Sequence, residues 1–237
     1  RATCRSDDAE VAEALKESLG DLVQIEYGEP SRVGRLDDGE PHYGGAGIGY
    51  LNDNFCTSGF TIVKSGAHGS VTAGHCYNNG ESVYSGPEYY GYTAGRASFP
   101  TYDMIRIASG VETYTNKIHV DPCCPSVRTV TSRGDTNTSS YVCASGMVTR
   151  AVCSIDVVSM AAEFCDEYGC TPNLIYGERW DVTIVNFGDS GAPIYNRVGD
   201  TEAAIRGMAI ARDGPHQIYG HKISRMESIL GMTCDTS

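Results

Sequence analysis

From about residue 46 to residue 211 the chain is written as short, turn-bounded runs of β-branched or alternating residues. "GFTIVKS" (59–65), "GSVTAGHC" (69–76), "YDMIRIAS" (102–109), "YVCASGMV" (141–148), "CSIDVVSM" (153–160), "RWDVTIV" (179–185), "APIYNRV" (192–198) and "IRGMAIA" (205–211) each suit a strand. No helical pattern alternates with them, so βαβ units are excluded and a barrel or sandwich is predicted. Twenty-eight Gly supply the turns. A segment rich in Pro, Cys, Thr and Ser (121–140) divides the β region roughly in half. At the end, "SRMESILGM" (224–232) places Met226, Ile229 and Leu230 at helical spacing, which predicts one short C-terminal helix.

The first forty residues differ in style. Ser6 can cap a helix opening on Asp7 and Asp8, with Val11, Ala14, Leu15 and Leu19 on one face and Gly20 as its stop. "LVQIEYG" (22–28) alternates as a strand, and the polar run 31–45 reads as a linker. Residues 1–41 hold eleven acidic and five basic side chains, the pattern of a solvated surface segment. The whole chain of 237 residues carries a formal charge of −12, which argues against nucleic-acid and anionic-membrane partners. No run of about 18 apolar residues suggests a membrane span.

Ten Cys is a high, even count. No CxxC occurs, and the six His do not pair at metal-ligand spacing, so no metal and no cofactor is expected. Disulfides in an oxidising compartment are the expectation. "LDDGEPH" (36–42) is too poor in ligands for calcium. "NTS" at Asn137 is a glycosylation sequon, meaningful only in a eukaryotic secretory pathway.

"FGDSGAP" (187–193) sets a Ser between an acid and small residues, as a tight turn with an exposed hydroxyl would. Gly188 permits an unusual backbone there, and the N–H groups of Gly188 and Ser190 can aim at one developing oxyanion. A Ser hydroxyl needs a base. His75 ends a β-branched run beside Cys76, and Cys56 lies where a hairpin brings the two sulfurs together. The base needs a buried carboxylate. Asp103 stands at the lip of the apolar strand "YDMIRI" and is costly to bury unpaired.

"TAGHC" (72–76), "YDMIRI" (102–107) and "GDSGAP" (188–193), in the order His, Asp, Ser, resemble the chymotrypsin-like serine proteases, and most of all their secreted bacterial branch of streptogrisin and α-lytic type. "CTSGFTIV" (56–63) and "VCASGMVTRAVC" (142–153) resemble that branch's disulfide-flanked segments. The resemblance spans about residues 44–232. It implies an all-β fold of two six-stranded antiparallel barrels with the active site between them. The divisions would be a prosegment-like extension (1–43), a first barrel with His75 and Asp103 (44–120), and a linker, second barrel and helix (121–237). It implies a secreted, monomeric endopeptidase acting on polypeptides. Ser190 would be the nucleophile, His75 the base, Asp103 its orienting acid, and Gly188 and Ser190 the oxyanion hole. Asp189 would set the oxyanion loop.

The match has departures. Ala192 stands where the family often has Gly. Ile184, six before the nucleophile, is not the Asp of a trypsin-like enzyme. Ile184, Val185, Ile210 and Ala211 would make an apolar pocket favouring an apolar P1 residue, whereas Arg212, with His216 or His221 nearby, would select an acidic one. Cys56–Cys76, Cys143–Cys153 and Cys165–Cys170 are the expected bridges. Cys4 and Cys234 would each bond one of Cys123 and Cys124, the alternative being Cys4–Cys234 with a vicinal pair. Residues 1–43 would be a retained prosegment tail, a structural piece or an inhibitor in cis. A protease-shaped binding protein without activity is the competing class, disfavoured because all three triad residues are present. An esterase of GxSxG type is disfavoured because Ala192 replaces the second Gly.

Overall fold

The computed structural model describes residues 2–4, 18, 25–27, 33–122 and 125–237. The chain forms two units, Arg1–Val33 and Gly34–Ser237. In the first, strand β1 (Ala2–Cys4) pairs in parallel with β2 (Ile25–Tyr27), the latter inside the segment expected as a strand. Ser18 is helical, and the rest of the expected helix lies outside the described residues.

The second unit holds two large sheets. The first sheet contains eight antiparallel strands, in the spatial order Thr233–Cys234, Ile62–Lys64, Ala67–Thr72, Ile105–Ala108, Glu88–Ala94, Ser82–Ser85, Gly47–Tyr50 and Asp53–Thr57. Its strands alternate as a one-face-buried sheet requires. Ile105 and Ile107 are buried, for example, and Arg106 and Ala108 only partly so. Ile48, Phe60, Val71, Tyr90 and Met104 complete the core beneath it.

The second sheet closes on itself. Pro193–Val198, Tyr141–Gly146, Arg150–Asp166, Gly169–Glu178, Gln217–Lys222 and Glu202–Arg212 follow one another as antiparallel neighbours, and Glu202–Arg212 pairs back onto Pro193–Val198. This ring is a six-stranded barrel, filled by Val142, Ile155, Val157, Ile175, Ile194 and Ile218. Three further strands extend it: Val127–Arg133 and His42–Gly44 by parallel pairings, and Tyr114–His119 by an antiparallel one. The two β layers were legible in the sequence. The first sheet nevertheless has eight strands rather than six, and the second barrel carries three extra ones. The helix α1 (Ile223–Leu230) buries Ile223, Met226 and Leu230 and stops at Gly231, whose φ of 57° closes a left-handed cap.

Three expectations need correction. Residues 34–43 are not a linker but belong to the compact unit, with Arg35, Asp38 and His42 all buried. Their charges are paired inside: Asp38 accepts from the Tyr43 N–H at 3.0 Å and meets His42 and His119 at 3.2 and 2.9 Å. Residues 179–185 form a loop rather than a strand. The Arg179 guanidinium folds back onto Asp181 and the Cys153 carbonyl, and the segment is tied to Pro215 and His216 by isolated backbone bonds and by the His216 ring on the Val182 carbonyl rather than by a ladder. Among the described residues, Cys234 is a free, buried thiol rather than half of a bridge. Its strand pairs with Ile62–Lys64 in the first sheet, and its sulfur meets the Asp235 carbonyl at 3.7 Å. The side chains of Cys4, Cys123 and Cys124 lie outside the described residues.

Candidate active site

Sheet register sets up the histidine and its acid. Ala67–Thr72 pairs with Ile105–Ala108 so that Thr72 faces Ile105, which brings the turn Gly74–Cys76 beside Asp103. A side chain at Gly74 would run into the Met104 nitrogen at 2.7 Å, so only Gly permits this approach. The Cys56–Cys76 disulfide ties the turn to the strand Asp53–Thr57. Asp103, 5% exposed, accepts from the His75 backbone N–H at 2.7 Å through one oxygen. Its other oxygen lies 2.6 Å from His75 Nδ1. That bond places the proton on Nδ1 and leaves Nε2 as the basic nitrogen of the half-exposed ring. The Asp103 N–H in turn donates to His221 Nε2 at 3.1 Å. Burial pushes the His221 pKa down to about 4, with Asp103 opposing and Arg225 assisting, so the ring is held neutral as an acceptor.

The turn carrying Ser190 is held from within. Asp189, 2% exposed, accepts from the N–H groups of Val148, Thr149 and Asn186 at 2.8, 3.2 and 2.8 Å and from the Thr149 hydroxyl. Gly188 and Gly191 take φ values of 95° and 98°, which L side chains rarely adopt. The Asp189 N–H turns inward to the Asn186 carbonyl at 3.1 Å. Among the described residues, neither the Gly188 nor the Ser190 N–H donates to a protein acceptor. Thr57 fixes the turn from the first sheet: its N–H donates to the Ser190 carbonyl and its hydroxyl to the Gly188 carbonyl, both at 2.8 Å. The sequence offered no signal for Thr57 beyond its place next to Cys56.

His75, Asp103, Asp189 and Ser190 line one cleft of about 560 Å³. Of the residues expected in the pocket, Val185, Ile210, Ala211 and Arg212 line it. Ile184 does not: it packs into the core of the second barrel with Val142 and Ile155. Neither His216 nor His221 is among the lining residues. His216 bonds the Val182 carbonyl and stacks near Trp180, and His221 lies under Asp103. The Arg212 guanidinium sits 4.1 Å above the exposed Phe187 ring. Sequence reasoning missed the far wall, built by Arg96, Phe99 and Pro100 and by Phe164, Asp166 and Tyr168 at the tip of the long hairpin. That hairpin is clipped by Cys165–Cys170, whose residues sit opposite each other in register. Cys143 and Cys153 are also bridged, across the strands that begin the second barrel. No helix among the described residues is long and apolar enough to cross a membrane.

By sequence, no protein-family model and no curated protein gives a significant match. By structure, the chain is similar to protease A of Thermobifida fusca, with a TM-score of 0.68 and 24% identity over 82% of this chain and 98% of that one. It is similar to a glutamic acid specific serine protease that uses a histidine triad in substrate binding, with a TM-score of 0.69 and 21% identity over 81% of this chain and all of that one. A Nocardiopsis protease aligns with a TM-score of 0.68 and 22% identity, covering 82% of this chain and 98% of that one. The chain therefore has the fold of the bacterial chymotrypsin-like serine proteases.

Proposed function

We propose that the chain is a secreted serine endopeptidase. The observation that carries this reading is the Asp103–His75 hydrogen-bonded pair facing the same cleft as Ser190, whose turn has two backbone N–H groups without an acceptor among the described residues. In the reaction, Ser190 Oγ attacks the scissile carbonyl while His75 Nε2 takes its proton. Asp103 holds the imidazole and stabilises the imidazolium that forms. The Gly188 and Ser190 N–H groups bind the carbonyl oxygen as it becomes an oxyanion. The intermediate collapses, His75 returns the proton to the leaving amine, and an acyl-enzyme remains on Ser190. Water then attacks the acyl carbonyl as His75 removes its proton, and His75 passes that proton to Ser190 Oγ as the ester bond breaks and the carboxylic acid leaves. Three disulfides support an oxidising, extracellular setting, and a monomer acting on polypeptides needs no cofactor for this chemistry.

Val185, Ala209, Ile210 and Ala211 give the cleft an apolar wall, which supports an apolar P1 side chain. A second reading, acidic P1, rests on Arg212. Its guanidinium lines the cleft, and its buried Nε has no hydrogen-bond partner among the described residues. Digestion of an undirected peptide library, read by mass spectrometry, tests both. Cleavage after apolar residues supports the first reading, and cleavage after Glu or Asp that R212M abolishes supports the second. No cleavage by the wild type, at a rate equal to that of S190A, defeats the endopeptidase reading.

A further inference from the structure

Between the short strands Val33–Gly34 and Asp37–Asp38 lies a buried cation that is hydrogen-bonded through all three of its nitrogens. The Arg35 side chain is 1% exposed. Its Nε donates to Asp121 Oδ1 at 2.7 Å. Its Nη1 donates to the carbonyls of Gly45, Ser145 and Gly146 at 2.9, 3.2 and 2.8 Å, and its Nη2 to the Ser145 hydroxyl at 2.8 Å. A planar fork with five donors suits such a cluster, and an ammonium does not. The Ser145 hydroxyl passes the connection on to the His119 carbonyl at 2.7 Å. Two of the carbonyls that Arg35 gathers, those of Ser145 and Gly146, belong to the end of the strand Tyr141–Gly146, and the next three residues are the ones that hold the oxyanion turn. The Met147 N–H donates to the Thr57 hydroxyl at 3.0 Å, and that hydroxyl donates to the Gly188 carbonyl. The Val148 and Thr149 N–H groups hold Asp189. Segment 145–149 is thus pinned by Arg35 at one end and bonded to both sides of Gly188–Asp189 at the other.

We propose that Arg35 is a positioning residue for the oxyanion turn, so that residues 34–43 form a working strap of the mature catalytic body rather than part of a removable leader. This rests on the endopeptidase reading. With the guanidinium gone, Ser145 and Gly146 lose their shared anchor, and the N–H groups of residues 147–149 no longer hold Gly188 and Asp189 in one place. A displacement of that size at an oxyanion site slows the chemical step far more than it weakens substrate binding.

The test uses the full chain with Arg35→Met, Arg35→Lys and, as a matched control, Arg128→Met. Arg128, on the strand Val127–Arg133, is also buried, but it bonds the Gly199 and Glu202 carbonyls, away from the oxyanion turn. Each variant is checked for folding by circular dichroism, and kcat and KM are measured on one chromogenic peptide well below its melting temperature. The expected result is a fall in kcat of about ten- to a hundredfold for R35M with KM changed less than about twofold. R35K should recover part of kcat, and R128M should lower the melting temperature at unchanged kcat. If R35M does not fold, R35K decides, with a reduced kcat at unchanged KM expected. Wild-type kcat in the folded Arg35 variant, or an equal fall in R128M, overturns the positioning role and leaves the endopeptidase reading standing. A wild type with no activity overturns both.

Discussion

Acid should unfold this protein through one histidine. His221 is fully buried beneath Asp103 and accepts the Asp103 N–H on Nε2, an arrangement that requires the neutral ring. Burial lowers its pKa from 6.5 to about 4, against the smaller pull of Asp103. The unfolded chain therefore takes up this proton at a higher pH than the folded one. The stabilisation is whole above pH 6.5, declines as pH falls below 6.5, and is gone once pH passes through about 4. A pKa difference of that size corresponds to about 3 kcal/mol between pH 7 and pH 4. His42 works in the opposite direction. Burial tends to lower its pKa, but Asp38 and Glu112 outweigh burial and raise it, so its contribution is lost as pH rises. The contribution of His221 is therefore isolated by difference. Urea unfolding of S190A and of S190A/H221Q, the first change preventing self-digestion, is measured from pH 7 to pH 4. The Gln oxygen can still accept from the Asp103 N–H but cannot titrate. The parent should lose about 3 kcal/mol more than the double variant over that range. Parallel curves would refute the claim that burial of a neutral His221 sets the acid limit.

Three further outcomes follow from the same geometry. Gly191→Ala puts a methyl group at φ 98° against the Thr57 carbonyl and the Thr72 hydroxyl, and should cut kcat by about a hundredfold in a protein that still folds, read by steady-state kinetics. Replacing Cys165 and Cys170 together by Ser opens only a short loop at an exposed hairpin tip. It should cost about 2 kcal/mol in urea unfolding and raise KM more than it lowers kcat, because Phe164, Asp166 and Tyr168 line the cleft but do not touch Ser190 chemistry. The Cys234 thiol is buried, and burial raises its pKa, so iodoacetamide should leave it unmodified in the native protein and label it once urea unfolds the chain.

The sequence disclosed the parts of this molecule whose residue types are unusual for their place. A Ser between an acid and a glycine, a His before a cysteine, and an Asp at the lip of an apolar strand each invite a chemical explanation, and the structure sets His75 on Asp103 and turns both toward the cleft of Ser190. Alternation disclosed most of the strands. What stayed hidden depended on partners far along the chain. The polar run around Arg35, Asp38 and His42 reads as solvated because its counter-groups, Asp121, His119 and Ser145, lie some 80 to 110 residues away. Residues 179–185 alternate like a strand because Ile184 faces a core, yet no neighbouring strand offers them a ladder. Ile184 fell into the expected pocket by counting back from Ser190, but the cleft is lined one residue later, from Val185. The far wall of the cleft comes from a hairpin whose role no local pattern announces. Cys234 illustrates the limit of counting cysteines: an even total suggested complete pairing, whereas strand register sets this thiol beside Ile62 in the first sheet with no bridging partner among the described residues.

The central claim is that Ser190 is a nucleophile activated by His75. The direct measurement is reaction of the native chain with a peptidyl phosphonate, followed by peptide mapping, for the wild type and for H75A. One adduct per chain on Ser190 is expected in the wild type, with a rate lower by about a thousandfold or more in H75A. Equal labelling of the two, or labelling of the wild type at any residue other than Ser190, would contradict it.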